Sequence, residues 1–372
     1  MGKVKFIRQN QRSKENRVKN YVKSILFPII SIVISIFVAV FFVMWAKGYG
    51  ITDYFTALSE LFTAIWKGSF QNEKKFLDML IYVTPMIFTG VAHSLAFKTG
   101  LFNIGVSGQF VLGMLAAALV GLIPGIPTAI HIVLIIVAGF IAGGLWAAIP
   151  GFLKSKFGIN EVVNTIMMNY IGLYFVNWVV LRSVFNVPNK DNTAEIQMSA
   201  QIWKINEELS RGSWAVILAI IFAILVYVLL WKTKRGYELR AVGNNMYGAE
   251  YGGISISKNI VLAMLVSGAI AGIGGAMHVS GTMLNMTSMV ELPSYGFDGI
   301  AVALLAKSNP IACIATAFLF GALRASSRTM QISGIPKEIV MLIQGIVIIF
   351  VATDYIYKYI GEKRKKGAVV NG

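Results

Sequence analysis

The chain alternates between long apolar runs and short polar intervals. Apolar runs occupy Ile25–Ala46, Phe76–Phe97, Asn103–Leu122, Pro127–Ile149, Asn160–Leu181, Ser213–Trp231 and Ile260–His278. Two shorter runs, Tyr295–Ala306 and Ile311–Leu323, are split by Ser308-Asn309-Pro310, and a last one covers Pro336–Tyr357. A helix needs roughly 20 apolar residues to cross a hydrocarbon layer about 30 Å thick. The pattern therefore predicts an all-α, polytopic integral membrane protein with about ten transmembrane helices. Between the first two runs, Ile51–Phe70 places Tyr54, Phe55, Leu58, Leu61, Phe62 and Ile65 at helical spacing, which predicts a helix, either amphipathic at the membrane interface or plainly extracellular. The first run, 22 residues long, exceeds a signal-peptide core and lacks a small-residue cleavage pattern behind it, so it reads as a retained helix.

Composition agrees with this reading and excludes others. Of 372 residues, 56% are hydrophobic and only 13% charged. Soluble domains carry about 25% charged residues. The 33 Lys+Arg against 17 Asp+Glu leave a net charge of +16, which by itself suits either a nucleic-acid partner or a cytoplasmic membrane face. Position decides between the two. With the N-terminus inside and the spans alternating, 22 Lys/Arg fall inside and 11 outside, as the positive-inside rule requires. Both basic tails, residues 1–24 and 358–372, then flank a transmembrane domain, residues 25–357, from the cytoplasmic side. The tails lack interleaved aromatics or any nucleic-acid motif, so orientation and contact with anionic lipid explain them.

Catalytic and metal signatures are missing from the sequence. Cys313 is the single cysteine, and His93, His131 and His278 lie on three different runs without HxxxH spacing. No GxxxxGK[ST] loop for ATP and no GxSxG nucleophile motif occurs. What the apolar runs do hold is polar residues, which are costly in a membrane and often functional. Glu161, Thr165 and Asn169 recur at i, i+4 and i+8, with Asn164 beside them, and this spacing draws a stripe on one helix face. Asn103, Ser107 and Gln109 form a second group, and Asp78, Tyr82 and Thr84 precede Pro85. Such groups either line a pathway for a polar solute or serve as interhelical glue worth about 1 kcal/mol per contact.

Glycine is frequent, at 36 residues. The stretches Ser267–Gly281 and Ala138–Gly151 put small residues four apart, which predicts close helix packing. The helical pattern breaks within membrane-depth sequence at Lys98–Gly105 and at Glu291–Pro310, and interrupted segments of this kind are where transporters place solute sites. Helix starts at Asn103 or Asp298 would direct free backbone N–H groups toward such a site. The longest cytoplasmic connector, Thr233–Lys258, mixes charges with Gly236, Gly243, Gly248, Gly252 and Gly253. It predicts a short helix over Asn245–Tyr251, set between flexible hinges and able to dock on another protein.

At that connector the sequence resembles the membrane subunits of ABC importers for sugars, branched-chain amino acids and nucleosides. In that family a loop R-A-x-G-x-N followed by A-x-x-x-G-I contacts the ATPase. Arg240, Ala241, Gly243, Asn245, Ala249, Gly253 and Ile254 match it, while Met246 and Glu250 depart from residues that are commonly Pro and basic. Leu101–Phe110, Phe157–Gly172 and Gly296–Pro310 look like the nucleoside-type branch, with Ser107 standing where the family often has an acidic residue. The resemblance spans roughly Leu77–Thr353. It implies a permease subunit in the plasma membrane that translocates nucleosides, binds no cofactor and leaves ATP to a separate cytoplasmic ATPase. A homologous second permease would complete the pathway, and an extracellular solute-binding (lipo)protein would deliver substrate to loops such as Ser183–Arg211. ATPase coupling is expected at Arg240, Gly243, Asn245, Ala249, Tyr251 and Gly253. Pathway contacts are expected among Tyr82, Asn103, Ser107, Gln109, Glu161, Asn164, Thr165, Asn169, Phe297 and Asp298. Two alternatives stand beside this reading: a permease of the same family for a pentose or branched-chain amino acid, and a proton-coupled secondary transporter using Glu161 or Asp298.

Overall fold

The computed structural model describes residues 30–182 and 185–350. The tails 1–24 and 358–372, and the outer ends of the first and last apolar runs, lie outside the described residues. Within them the helices are α1 (Ile30–Lys47), α2 (Tyr54–Ser69), α3 (Glu73–Lys98), α4 (Val106–Gly121), α5 (Thr128–Phe157), α6 (Glu161–Arg182) and α7 (Ala215–Lys232). The order continues with α8 (Lys234–Asn244), α9 (Met246–Tyr251), α10 (Ile256–His278), α11 (Tyr295–Leu305), α12 (Pro310–Ile332) and α13 (Glu338–Phe350). No strand forms among the described residues, which hold only three isolated β-bridges. Among the described residues six helices (α1, α3, α5, α7, α12 and α10 with its extension to Met283) are long and apolar enough to cross a membrane. Helices α4 and α11 are apolar but shorter, and α13 is apolar over the residues described. Each apolar run of the sequence thus has a helix in its described part, and among the described residues six helices meet the length and hydropathy of a full span.

The helices form two units. One comprises residues 30–61 and 334–350 of the described chain. In it Tyr54 stacks on Phe37, meets Phe41 at a tilt and donates its hydroxyl to the Phe37 carbonyl at 3.0 Å. Lys47 closes on Glu60, whose carboxylate also accepts from the Tyr49 hydroxyl. That ion pair holds the Glu60 carboxyl below the usual glutamate range.

The larger unit, residues 62–333, is built around α10, which packs on α3, α4 and α5. The glycine runs explain how. A Cβ on Gly143 would stand 2.8 Å from the Gly272 Cα, one on Gly272 would stand 3.0 Å from the Gly139 carbonyl carbon, and one on Gly113 would stand 2.5 Å from the Gly272 Cα. The two small-residue stretches therefore meet each other, and α4 joins at the same place. Backbones approach this closely only where no side chain intervenes. The dispersion attraction between them stands in for the hydrophobic drive that a lipid surrounding lacks.

Both interruptions are present. Residues 99–105 form a turn between α3 and α4, with Gly100 at φ +75°. After α10, a π-helical turn (Val279–Met283) ends at Leu284, φ +64°, and residues 284–294 run non-helically to α11. Helices α11 and α12 separate at Lys307 and Ser308, both left-handed, and Asn309 caps α12 by accepting from the Ile311 N–H, with Pro310 in the first turn. Pro after an Asn cap starts a helix at no hydrogen-bond cost.

Candidate functional site

The chemistry-bearing residues gather in three places, all in the larger unit. The first is the turn before α4. Asn103 is fully buried, with Nδ2 donating to Gln109 Oε1 at 2.9 Å and to Ser267 Oγ at 3.0 Å. Its Oδ1 accepts from Gln109 Nε2 and from the Gly105 N–H. Ser267 donates its proton to the Ala92 carbonyl, so the clamp ties α10, α3 and the turn together. Asn169 of α6 donates to the Ile104 carbonyl at 2.9 Å and accepts from the Gly108 N–H at 2.7 Å. Thr165 turns back to the Glu161 carbonyl, and Glu161 pairs with Lys154 at 2.8 Å.

Asn103, Gln109, Thr165 and Asn169 thus have their hydrogen bonds met by the protein in this conformation. Asn103, Gln109 and Asn169 act as the glue that fixes a non-helical turn, whose backbone groups each need a partner, while Thr165 bonds only within its own helix. Helix α4 begins at Val106, three residues later than the break suggested, because Asn103 takes up the Gly105 N–H. Asn164 is half-buried and its Nδ2 has no partner.

The second place is the start of α11. Ser294 donates to Asp298 Oδ2 at 3.0 Å and accepts from Arg324 of α12, whose Nε lies 4.0 Å from the same carboxylate oxygen. Asp298 is buried, and Arg324 is about a quarter exposed. Tyr295 packs edge-on against His278, ring centroids 5.1 Å apart, and both adjoin Phe110 at 5.9 Å. Tyr82, half-buried on α3, lies within electrostatic reach of Tyr295, as does Arg211. The Gly296 carbonyl accepts from His93 Nε2 at 2.8 Å. Ser107 lies against Gly296, buried and with an unpartnered hydroxyl. Phe297 faces away, with 47% of its surface exposed.

This cluster unites Ser107 and Asp298 and adds residues the sequence did not point to: Phe110, His278, Ser294, Tyr295 and Arg324. Arg324 escaped because it follows the run Ile311–Leu323 directly and reads as the loop beyond it, whereas α12 continues to Ile332. An ion pair at membrane depth is costly and marks function by default.

The third place is the connector after α7, which is mostly helical rather than a loop with one short helix. Thr233 caps α8 by accepting from the Gly236 N–H at 3.0 Å, and Asn245 caps α9 by accepting from the Gly248 N–H at 3.0 Å. Between α8 and α9 lies an open groove of about 490 Å³, lined among others by Tyr237, Ala241, Asn245, Ala249 and Gly253. Tyr247 and Tyr251 stand exposed beside it.

Gly243 is not a hinge. It packs against the backbone of Lys98–Gly100, where a Cβ would stand 2.8 Å from the Thr99 carbonyl carbon and 2.9 Å from the Gly100 nitrogen. Arg240 turns inward, donating Nε to the Leu230 carbonyl at 2.9 Å, and its guanidinium lies over Trp231. Lys98 approaches the same indole. The helix pair is therefore stapled to the end of α3, one turn away from the Asn103 clamp.

Among the described residues no group of three His, Cys, Asp or Glu side chains could hold a metal ion.

Comparison with known proteins accords with this arrangement. The profile of the family described as branched-chain amino acid transport system / permease component matches residues 75–352. The guanosine ABC transporter permease protein NupP of Bacillus subtilis (strain 168) is 38% identical over 332 residues, covering 88% of this chain and 93% of its own length. The nucleoside ABC transporter permease protein NupB of Lactococcus lactis subsp. cremoris (strain MG1363) is 35% identical, covering 76% and 80%. A second guanosine permease protein of B. subtilis, NupQ, is 25% identical, covering 65% and 78%. The relatives thus include two permease proteins of one organism that carry the same substrate name, as expected of transporters with paired permease subunits. With the profile spanning most of its length, the chain belongs to the family of branched-chain amino acid transport system permease components, as a multi-pass protein of the cell membrane.

Proposed function

We propose that this chain is the permease subunit of an ABC importer that carries nucleosides. The observation that carries the reading is the similarity to the guanosine permease, which runs along nearly the whole of both chains. The arrangement has about ten spans, the shorter apolar helices and α6 completing the six long ones, with both termini cytoplasmic. A homologous second permease closes the pathway, a solute-binding protein delivers the nucleoside from outside, and a cytoplasmic ATPase supplies the energy. The chain itself binds neither ATP nor any cofactor.

The geometry supports a coupling route. The ATPase docks on the groove between α8 and α9, where Tyr237, Tyr247 and Tyr251 are presented. Displacement of α8 is passed through Gly243 to the Lys98–Gly100 backbone and so to the turn that Asn103 clamps. That turn starts α4, whose Phe110 and Ser107 adjoin the Asp298–Arg324 cluster. Coupling needs an element with different contacts in two states, and this packed, side-chain-free contact is stiff enough to transmit one. Arg240 acts as the anchor that holds α8 on α7, rather than as a group offered to the ATPase.

The test is reconstitution of the permease pair with its ATPase and solute-binding protein in liposomes. ATP-dependent uptake of labelled guanosine, competed by nucleosides but not by pentose or leucine, is the expected result. Uptake by this chain alone, driven by a pH gradient without ATPase, would overturn the proposal in favour of a proton-coupled carrier.

A further inference from the structure

Arg324 and Asp298 face each other across a gap that neither closes. Counted from Pro310 at about 1.5 Å per residue, Arg324 lies roughly 21 Å along α12, a helix of about 33 Å that is long and apolar enough to cross a membrane. A charge at that depth is costly and needs a partner. The partner is Asp298, yet Arg324 Nε stands 4.0 Å from its carboxylate oxygen, where a direct pair closes to about 2.7–2.9 Å. Ser294 fills the gap. Its hydroxyl donates to Asp298 Oδ2 at 3.0 Å and accepts from Arg324 Nη2.

That hydroxyl has been turned away from its ordinary task. Ser294 stands at the N-cap of α11, where a serine oxygen usually accepts from an N–H of the first turn, but it makes no such bond. The stretch leading to it, residues 284–294, is non-helical. The hydroxyl can therefore withdraw from the ion pair without unwinding or uncapping a helix.

The surroundings admit a solute. Tyr82, Ser294, Tyr295 and Arg324 are half-buried around a buried Asp298, and Arg211, within electrostatic reach of Tyr295, is exposed. Side-chain exposure falls from 23% at Arg324 to 8% at Asp298, which makes the carboxylate the floor of the cluster. Hydrogen-bonding capacity is left over as well. Among the described residues no group bonds to Asp298 Oδ1 or to the hydroxyls of Tyr82 and Tyr295, while Oδ2 is the oxygen that Ser294 and Arg324 share.

The chemistry of the bridge selects what can replace it. A single solute atom that gives a proton to a carboxylate and accepts one from a guanidinium is a hydroxyl oxygen. An N–H group only donates, and a carbonyl or unprotonated ring nitrogen only accepts. In a nucleoside the two abilities meet on the ribose and not on the base.

We propose that Asp298 and Arg324 form a ribose site, in which a 2′- or 3′-hydroxyl of the solute takes the bridging place that Ser294 holds in this structure, and the adjacent hydroxyl reaches Asp298 Oδ1. This rests on the nucleoside reading above and adds to it the group that is recognised: the sugar hydroxyls, not the base. The exchange suits transport, because one hydroxyl replaces another. The buried ion pair keeps its bridge throughout, and the return of Ser294 releases the solute.

The experiment uses both permeases assembled with their ATPase, in detergent and without the binding protein, so that only the pathway discriminates. Binding of tritiated guanosine is measured by scintillation proximity, with unlabelled guanosine and 2′,3′-dideoxyguanosine as competitors. Wild type is compared with Asp298→Asn and Ser294→Ala. In wild type the dideoxynucleoside is expected to compete about tenfold more weakly than guanosine, the size of one hydrogen bond to a charged group. Asp298→Asn should weaken guanosine to the level of the dideoxynucleoside and leave the latter unchanged. Ser294→Ala should keep the preference and bind guanosine at least as tightly, since the competing hydroxyl is gone.

Equal competition by the two nucleosides in wild type would overturn the ribose site, and that comparison stands whether or not the Asn variant assembles. A preference that survives Asp298→Asn, or guanosine binding lost in Ser294→Ala, would overturn it as well. So would a complex that binds no guanosine although the full importer takes it up in liposomes, a result that leaves the nucleoside reading intact. A full importer that takes up no nucleoside would instead remove the reading on which the site rests.

Discussion

Gly243→Ala isolates the link between the docking groove and the membrane helices. The added methyl would stand 2.8 and 2.9 Å from the Thr99 carbonyl carbon and the Gly100 nitrogen, and closer still to the Lys98 carbonyl oxygen. Carbon atoms pack best at about 3.5–4.0 Å, so the two backbones must part by about 1 Å. Nothing on the other side can yield cheaply. All three opposing atoms are backbone, and Gly100 holds φ +75°, a conformation other residues resist. Overpacking of this kind costs about 1–3 kcal/mol, a fraction of a typical domain's stability of about 5–15 kcal/mol, so the protein stays in the membrane while α8 is displaced.

The assay is ATP-driven guanosine uptake in liposomes holding the assembled importer, with basal ATP hydrolysis measured in parallel. Uptake is expected to fall at least tenfold while ATPase turnover continues uncoupled from it. Gly345→Ala is the control. It lies on α13, outside the unit that holds the groove, an added Cβ there has nothing within 4 Å, and the variant should transport normally. Full uptake in Gly243→Ala, at wild-type protein level, would refute the idea that this contact transmits the stroke.

Other consequences are more local. Gly272→Val should remove folded protein from the membrane altogether, because a larger side chain meets the backbones of Gly139 and Gly143 at once, and the amount surviving size-exclusion chromatography in detergent measures it. Asn103→Leu should lower the melting temperature of the purified protein, since Gln109 and Ser267 each lose a buried partner at a cost of about 1–3 kcal/mol per orphaned group; an unchanged melting temperature would deny the clamp its structural role. Glu60→Gln should cost less than about 1 kcal/mol, because the pair with Lys47 is partly exposed. Since Lys47 holds the Glu60 carboxyl below its ordinary range, its contribution is full above the usual glutamate pKa and fades as the pH falls through the lowered value. The difference between Glu60→Gln and wild type should therefore vanish in acid, and thermal melts at two pH values would show whether it does.

The sequence by itself determined where most of the helices form and where the helical pattern is interrupted. Apolar runs, the breaks at Lys98–Gly105 and Ser308-Asn309-Pro310, and the spacing of small residues in Ser267–Gly281 and Ala138–Gly151 are local signals, and each has its counterpart in the structure. Even α9 was legible, through its Asn cap and flanking glycines. Helix α8 was not. It carries Gly236 and Gly243 and buries only Leu239 and Val242 besides Gly236, too narrow a stripe to show a period, and it forms because Thr233 caps it and α7 receives it.

Pairing across helices belongs to the tertiary structure alone. Asn103 could equally have faced solute or a partner until α10 brought Ser267 to it. Gly243 read as a hinge until the end of α3 was seen against it. Arg324 read as loop until it met Ser294 and Asp298. The physical reason is common to all three. Periodicity reports which face of a helix is apolar, but a polar residue in a membrane helix is defined by what it hydrogen-bonds to, and that partner lies far away in sequence.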